Sequence, residues 1–198
     1  MLRFKQGDTC AFEILFSRHK VGVYNFLYRF LNQTQSADEA IQEVFLKVVR
    51  ASHSYVPTAK FTTWLYTMAR NYCIDQSRKQ KFRKTTSLSE KENNHENEGL
   101  SLEERIPDAQ ADTALNASAM NLNQKLEKVL NDINPDQREV FLLREKQGFS
   151  FEEIAEIVGS SVNTVKSRMR YALISLRDEL KKMDILNPYE IKDVDNHT

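Results

Sequence analysis

The residues best suited to bind nucleic acid lie between Gly159 and Tyr171, on the second helix of a predicted helix-turn-helix. Their side chains are short hydrogen-bonding groups and cations, which suit base edges and phosphates in the major groove of DNA. An ordinary helical hairpin with a basic exposed face is the alternative, but the concentration of these groups on one helix favours DNA binding. The candidates are Ser160, Ser161, Asn163, Thr164, Lys166, Ser167, Arg168 and Arg170.

A second set of candidates lies between residues 53 and 81, where a single tryptophan and several tyrosines occur beside cations. Aromatic rings next to cations can stack unpaired bases and hold a phosphate backbone. The alternative is that the apolar members are core residues, and for most of them, including Leu65 and Met68, we favour the core. The candidates are Tyr55, Lys60, Thr63, Trp64, Thr67, Arg70, Asn71, Arg78 and Lys79.

Carboxylates in two places raise the question of an enzyme. Asp38, Glu39 and Glu43 could hold a metal ion, and Asp75 with His53 could serve a nuclease. Carboxylates on a capped helix more commonly compensate the helix dipole, and the four histidines lack the spacing of metal ligands. The chain has no glycine-rich phosphate loop and no nucleophile with a partner. The sequence therefore predicts a protein that is not an enzyme, with no catalytic residue, metal or cofactor.

The first set of candidates needs a helix-turn-helix to present it, and residues 150–172 match that motif. Ser150 and Glu153 have the spacing of a capping box, which starts a helix. Gly159 can adopt the left-handed conformation of a sharp turn, and a second helix follows within about three residues. Ala155 is small where the two helices would cross. The shared core is predicted from Ile154, Val158, Val162 and Val165.

The second set belongs to a predicted helical domain in which aromatic and aliphatic residues recur at helical spacing. Within it, Ser36 and Glu39 match a second capping box at the start of a helix. Further along the chain, Asn134 is predicted to cap a helix that has Pro135 at its first position. The apolar stripe of the Ser36 helix is Ala40, Ile41, Val44, Phe45 and Val48, and its outward residues include Asp38, Glu39, Gln42 and Glu43.

The composition of the chain and the distribution of its charge indicate two small helical domains. Only 5 glycines and 4 prolines occur in 198 residues, which favours an all-α fold over a sheet protein. The zero net charge conceals a balance of +8 over residues 1–86 and −7 over residues 87–137. Residues 85–111 are polar, acidic and aperiodic, which is typical of a flexible linker. We therefore predict domains at 8–83 and 113–183, an acidic linker at 84–112 and a tail at 184–198.

The same survey predicts a cytoplasmic protein. The apolar runs are only a few residues long, so none could cross a membrane. The amino terminus has no apolar segment of the length of a secretory signal. Cys10 and Cys73 form no disulfide framework and are interpreted as small buried apolar side chains rather than a redox switch.

Three segments, taken together and in this order, resemble the extracytoplasmic-function (ECF) sigma factors of bacterial RNA polymerase, a group of the sigma-70 family. The first is 37–48 (ADEAIQEVFLKV), and the second has the pattern Phe61-x-x-Trp64-Leu65, then Ala69-Arg70-Asn71, Asp75 and Arg78. The third is the helix-turn-helix that ends in Val165-Lys166-Ser167-Arg168-x-x-x-Ala172. The resemblance spans about residues 8–181, and its combination of motifs is far more specific than any motif alone.

This resemblance implies a sigma-2 domain, a linker and a sigma-4 domain. It gives Asp38, Glu39, Gln42 and Glu43 the role of binding the clamp helices of the beta-prime subunit of core RNA polymerase, and it makes the beta subunit a further partner. The candidates of residues 55–79 would read and open the promoter −10 element, and those of residues 160–170 would read the −35 element. It also implies an anti-sigma factor as regulator.

A second hypothesis is a regulator that binds DNA through residues 122–181 alone, with the front half as a partner or sensor module. That hypothesis predicts tight and specific binding to duplex DNA without polymerase. The sigma hypothesis predicts weak binding by the free protein, because each domain is too small to recover the cost of opening DNA by itself.

Overall fold

The structure is a computed structural model, and it describes residues 1–31, 34–87 and 127–182. Every regular element within those ranges is helical, and the predicted all-α class is confirmed. Residues 127–132 are helical, and a π-helical turn, Leu142–Lys146, follows α5. The helices are α1 (Leu2–Lys5), α2 (Thr9–Leu31), α3 (Thr34–Arg50), α4 (Phe61–Ser87), α5 (Pro135–Phe141), α6 (Phe151–Val158) and α7 (Val162–Lys182).

Two predicted boundaries differ from those in the structure. Helix α3 begins at Thr34, so Ser36 lies inside the helix and the prediction that the helix starts at Ser36 was wrong. Helix α4 continues to Ser87, into the segment predicted as linker. A start signal such as Ser36 identifies a helix more reliably than its first residue, because helix ends shift by one or two residues with little cost. The rest of the predicted linker, the start of the second domain and the predicted tail lie outside the described residues.

The first domain is a bundle of α2, α3 and α4, with α1 packed on α2. Its core contains Val23 and Leu27 of α2, Val44 and Val48 of α3, and Leu65 of α4, all at most 1 % exposed. Burying each of these side chains stabilises the fold by about 1.5 to 3 kcal/mol. The apolar stripe predicted for α3 lies on the inner side of that helix. Cys73 is buried as predicted, whereas Cys10 is exposed, so the prediction for Cys10 was wrong.

The second domain packs α5 and α6 against α7, with the helical residues 127–132 at one end. Ile154 and Val165 of the helix-turn-helix are fully buried, and Val158 is nearly so, as the sequence predicted. A separate small cluster joins Val129, Leu130, Ile133, Leu142 and Leu176.

The turns of this domain follow from local side-chain chemistry. Asn134 Oδ1 accepts the Asp136 N–H at 3.0 Å, and Pro135 starts α5. Gly159 has a φ of 64°, which allows the sharp turn between α6 and α7. Ser150 Oγ accepts the Glu153 N–H at 3.2 Å, and Glu153 Oε2 accepts the Ser150 N–H at 2.8 Å. The predicted capping box of the helix-turn-helix is confirmed.

We expect Ser150→Ala to lower the free energy of unfolding by about 0.5 to 2 kcal/mol, because the cap of α6 is lost. Urea unfolding followed by circular dichroism measures this. Ser150→Asp, which keeps a capping oxygen, should remain close to the wild type. Ser17→Ala, at an exposed position inside α2, is the matched control. Equal stability of Ser150→Ala and Ser17→Ala would show that the cap contributes nothing measurable.

One hydrophobic core runs through both domains. The cluster that contains Leu65 and Ala69 of α4 also contains Ile154 and Val158 of α6. Helix α6 therefore packs directly on α4, the helix that carries most of the second set of candidates. No helix among the described residues is long and apolar enough to span a membrane.

Candidate nucleic-acid interface

The first half of α7 presents a polar and cationic face that points away from the core. Val165, Met169 and Ala172 anchor the opposite side of the helix at 0 to 7 % exposure. This alternation follows from the 3.6-residue period of a helix with one buried stripe. The exposed members of the predicted set are Ser161, Asn163, Thr164, Lys166, Ser167 and Arg170, while Ser160 and Arg168 are half-buried.

Several side chains on this face are already oriented by neighbours. Ser161 Oγ accepts the Thr164 N–H at 3.1 Å and lies 2.8 Å from Thr164 Oγ1, so Ser161 caps the start of α7. Arg168 Nη2 donates to Asp136 Oδ2 at 2.6 Å, which ties α7 to α5. Lys166 Nζ lies 5.9 Å from the centre of the Phe151 ring. The sequence did not predict these contacts, since Asp136 and Phe151 belong to other elements.

The second set of candidates divides into an exposed group and a buried group. Asn71, Arg78 and Lys79 are exposed along α4. Tyr55 and Thr63 are 6 % and 1 % exposed, so neither is accessible to a base in this conformation. Their assignment as contacts to DNA stays a prediction.

The aromatic residues of this set form a cluster at the start of α4. The Tyr55 and Trp64 rings meet edge to face, with centroids 4.8 Å apart, and Phe61 lies 5.9 Å from Trp64. Such pairs add about 0.5 to 1.5 kcal/mol beyond the area that they bury. The cluster holds the loop of residues 51–60 against α4, and Trp64 has a packing role in the core, as expected for most apolar residues here.

Hydrogen bonding leaves one buried hydroxyl of this set without a partner. The Thr67 hydroxyl donates to the Thr63 carbonyl at 2.8 Å. Thr63 Oγ1 has no hydrogen-bond partner among the described residues, although it is shielded from solvent. An unpaired buried hydroxyl costs about 1 to 3 kcal/mol.

The two remaining cations of the second set, Lys60 and Arg70, contact the second domain. Arg70 Nε donates to Glu139 Oε1 at 2.6 Å, and Lys60 Nζ lies 2.8 Å from Glu153 Oε1. Burial raises the pKa of Glu139, and the charge of Arg70 opposes that shift. The hydrogen bond from Lys60, followed by that from the Ser150 N–H, lowers the pKa of Glu153.

The acidic residues of α3 form a separate surface. Glu39, Gln42 and Glu43 are exposed and Asp38 is half-buried, while Ala40 and Val44 on the other side of the helix are fully buried. The described part of the chain contains no group of three or more His, Cys, Asp or Glu side chains placed to hold a metal ion. Helix α3 thus has a mostly exposed, acidic side opposite its buried side.

The residues of the second domain that contact α4 were not among the candidates predicted from the sequence. Glu139, Gln147 and Phe149 contact Arg70 or Tyr66, yet they lie outside both sets of candidates. Glu139 carried a detectable signal, because it is a charged residue at the edge of the apolar run from Val140 to Leu143. The pairing of Glu139 with Arg70 could not be predicted from the sequence around Glu139, because Arg70 lies about 70 residues earlier in the chain.

A helix-turn-helix with an exposed polar and cationic second helix, joined to a bundle with an aromatic and basic helix, defines a DNA-binding transcription factor. Comparison with known families specifies the kind of factor. Residues 15–83 match the family model of sigma-70 region 2, and residues 123–176 match that of sigma-70 region 4.

Relatives that align over nearly the whole chain agree with these matches. The RNA polymerase sigma factor CarQ of Myxococcus xanthus is 32% identical over 185 residues, which cover 93% of this chain and 98% of that protein. The ECF sigma-E factor of Haemophilus influenzae is 31% identical, with 91% and 93% covered. The chain belongs to the ECF sigma factors of the sigma-70 family. It is a transcription initiation factor and not an enzyme.

Solved structures show the same fold. The sigma factor RpoE of Bartonella quintana, in complex with the anti-sigma factor NepR, superposes with a TM-score of 0.69 at 24% identity, covering 86% of this chain and 97% of that one. CnrH, in complex with the cytosolic domain of CnrY, superposes with a TM-score of 0.64 at 22% identity, with 90% and 92% covered. Both solved structures therefore share the fold of this chain.

Proposed function

We propose that this sigma factor binds bacterial core RNA polymerase, directs it to promoters through the −35 and −10 elements, and helps to open the −10 DNA. The observation that carries the proposal is that two surfaces suited to DNA lie on separate domains of one chain, beside an acidic face on α3. A promoter contains two separated elements, and a chain with two separate DNA-binding surfaces could bind both of them. Because polymerase operates there, we place the protein in the cytoplasm.

The −35 element is assigned to α7. Asn163, Lys166 and Arg170 are exposed on the half of α7 that follows the turn, where a recognition helix contacts base edges. Asparagine suits adenine edges, whereas lysine and arginine suit guanine edges and phosphates. The ion pair of Arg168 with Asp136 would orient the guanidinium beside this face.

The −10 element is assigned to α4 and the loop before it. Separating base pairs costs about 1 to 2 kcal/mol of stacking per step, which must be recovered by capture of the unpaired strand. Asn71, Arg78 and Lys79 offer exposed polar groups along α4 for the phosphate backbone. The Tyr55 and Trp64 rings pack the loop against α4, and we assign this loop the role of receiving an unpaired base.

Polymerase binding is assigned to Asp38, Glu39, Gln42 and Glu43 of α3, facing the clamp helices of the beta-prime subunit, with the beta subunit as a further contact. Support comes from the accessibility of this face, on which Glu39, Gln42 and Glu43 are exposed. We further propose an anti-sigma factor as partner, because the solved RpoE of Bartonella quintana is in complex with one.

The test is binding to purified bacterial core RNA polymerase, followed by transcription from a pool of genomic fragments. Discrete start sites that require both the core and this chain would support the proposal and reveal the promoter sequence. Specific binding of the free protein to duplex DNA, with no binding to the core, would instead establish a regulator that acts without polymerase.

We expect Arg78→Ala with Lys79→Ala to impair promoter opening while leaving core binding unchanged. Each contact to a single-stranded phosphate contributes about −0.7 to the slope of log K against log[salt]. Loss of two such contacts should therefore make this slope less steep by about 1.4. Permanganate reactivity of unpaired thymines measures the opening. Lys20→Ala with Arg50→Ala, two exposed cations of the same domain, is the matched control. Equal opening by both double variants would remove Arg78 and Lys79 from the −10 surface.

A further inference from the structure

The loop of residues 51–60, which precedes α4, is anchored at Tyr55 and exposed at its tip. Tyr55 is 6% exposed, and its N–H donates to the Ser52 carbonyl at 3.3 Å. The exposed residues that follow are Val56, Pro57 and Thr58. Tyr55 is therefore the point at which the chain leaves the core toward the tip of the loop.

The tip of the loop is stiff, so its direction is set where it begins. Proline fixes its own φ and restricts the residue before it to extended conformations, which limits both Pro57 and Val56. The Thr58 N–H donates to the Val56 carbonyl at 2.9 Å, which closes the tip on itself. Because the peptide between Tyr55 and Val56 is planar, the orientation of the Tyr55 carbonyl also fixes the direction in which the tip leaves.

A lysine of the amino-terminal helix holds that carbonyl. Lys5 Nζ donates to the Tyr55 carbonyl oxygen at 2.9 Å, across 50 positions of the chain. A hydrogen bond from a charged donor is stronger than one between neutral groups. The bond joins α1 to the start of the tip, whereas the Tyr55 ring joins the loop to α4 through Trp64. Two elements thus hold Tyr55, one by its backbone and one by its side chain.

Lys5 is itself held by the packing of α1 on α2. The Phe4 and Phe12 rings lie with their centroids 4.9 Å apart. Arg3 Nη2 lies 2.7 Å from Asp8 Oδ2, and Asp8 Oδ1 accepts a backbone N–H of the first turn of α2 at 3.1 Å. The short α1 is therefore fixed against α2 by an aromatic contact and an ion pair, and the Lys5 side chain extends from a fixed point.

We infer that Lys5 is a positioning residue for base selection at the −10 element, and that it acts through the Tyr55 carbonyl on the loop before α4. The inference rests on the proposed role of this loop in receiving an unpaired base. A binding site must be held within about 0.5 Å of its productive geometry. Without the Lys5 contact the tip should sample several directions, and the chain should then distinguish the bases of the −10 element less well.

The fluorescence of Trp64 tests the contact without DNA or polymerase, because Trp64 is the only tryptophan in the chain. Lys5→Met keeps an unbranched side chain but removes the donor, and we expect it to raise the quenching of Trp64 by acrylamide. Lys5→Arg keeps a charged donor and should match the wild type. Lys20→Met, at another exposed lysine of the first domain, is the matched control. Equal quenching in Lys5→Met and Lys20→Met would overturn the inference.

Transcription with core polymerase then tests base selection. The measured quantity is the ratio of transcription from the preferred promoter to transcription from single-base variants of its −10 element. In Lys5→Met we expect this ratio to fall about tenfold at one base position, since a hydrogen bond from a charged group is lost. The ratio should stay at the wild-type value in Lys5→Arg and Lys20→Met. Binding to core polymerase and the response to −35 variants should not change in Lys5→Met.

A merely structural role of Lys5 would lower transcription from every promoter equally and leave the ratio unchanged, and that result contradicts the inference. Failure of Lys5→Arg to keep the ratio would contradict it as well. If Lys5→Met does not fold, as judged by circular dichroism, Lys5→Glu replaces it, because a carboxylate cannot donate to the carbonyl. No initiation by the wild type overturns the proposed function, whereas initiation with an unchanged ratio in Lys5→Met overturns only the inference.

Discussion

A chain carrying Glu39→Lys and Glu43→Lys is expected to bind core RNA polymerase about a hundredfold more weakly than the wild type, because placing like charges across an interface costs several kcal/mol. Both side chains are exposed, and both lie beyond the first turn of α3, where the helix dipole has little effect. The two changes should therefore leave the fold intact. Fluorescence anisotropy with labelled chain and unlabelled core measures the affinity.

The control carries the same change of charge elsewhere. Glu13→Lys with Glu145→Lys reverses two exposed carboxylates, one on α2 and one in the π-helical turn. This pair should bind core as the wild type does at physiological salt, since charges far from the interface are screened within about 8 Å. Equal weakening in both double variants would mean that net charge, rather than the face of α3, governs binding.

The second large effect is expected at α7. Lys166→Ala with Arg170→Ala should weaken transcription from promoters that depend on a −35 element by about a hundredfold, since each contact contributes about 1 to 3 kcal/mol. Asn163→Ala should instead relax specificity at one base pair if its amide reads an adenine. Each result comes from transcription on the wild-type promoter and on single-base variants of it.

Two exposed cations of the same domain serve as the comparison for α7. Lys146→Ala with Lys181→Ala removes the same charge but leaves the first half of α7 intact. We expect normal transcription from this control. If both double variants lose activity equally, the general charge of the region 4 domain matters and the assignment of α7 as the reading helix is wrong.

The local elements could be predicted from the sequence because their causes are local. The box of Ser150 with Glu153, the left-handed Gly159 and the cap at Asn134 each depend on residues within a few positions. The buried faces of α3 and α7 followed from apolar residues at a 3.6-residue period. The start of α3 was misplaced, since the capping signal at Ser36 does not exclude an earlier first turn and the helix begins at Thr34.

What the sequence by itself determined is the set of helices, their apolar faces, the family and the polar groups available for DNA and polymerase. Only the tertiary structure decided which of those groups are free. Arg70 is paired with Glu139 of α5, Lys60 is paired with Glu153 of α6, and Thr63 is buried. Contacts between residues about 70 to 100 positions apart have no periodic signature along the chain, since they depend on how two finished domains meet.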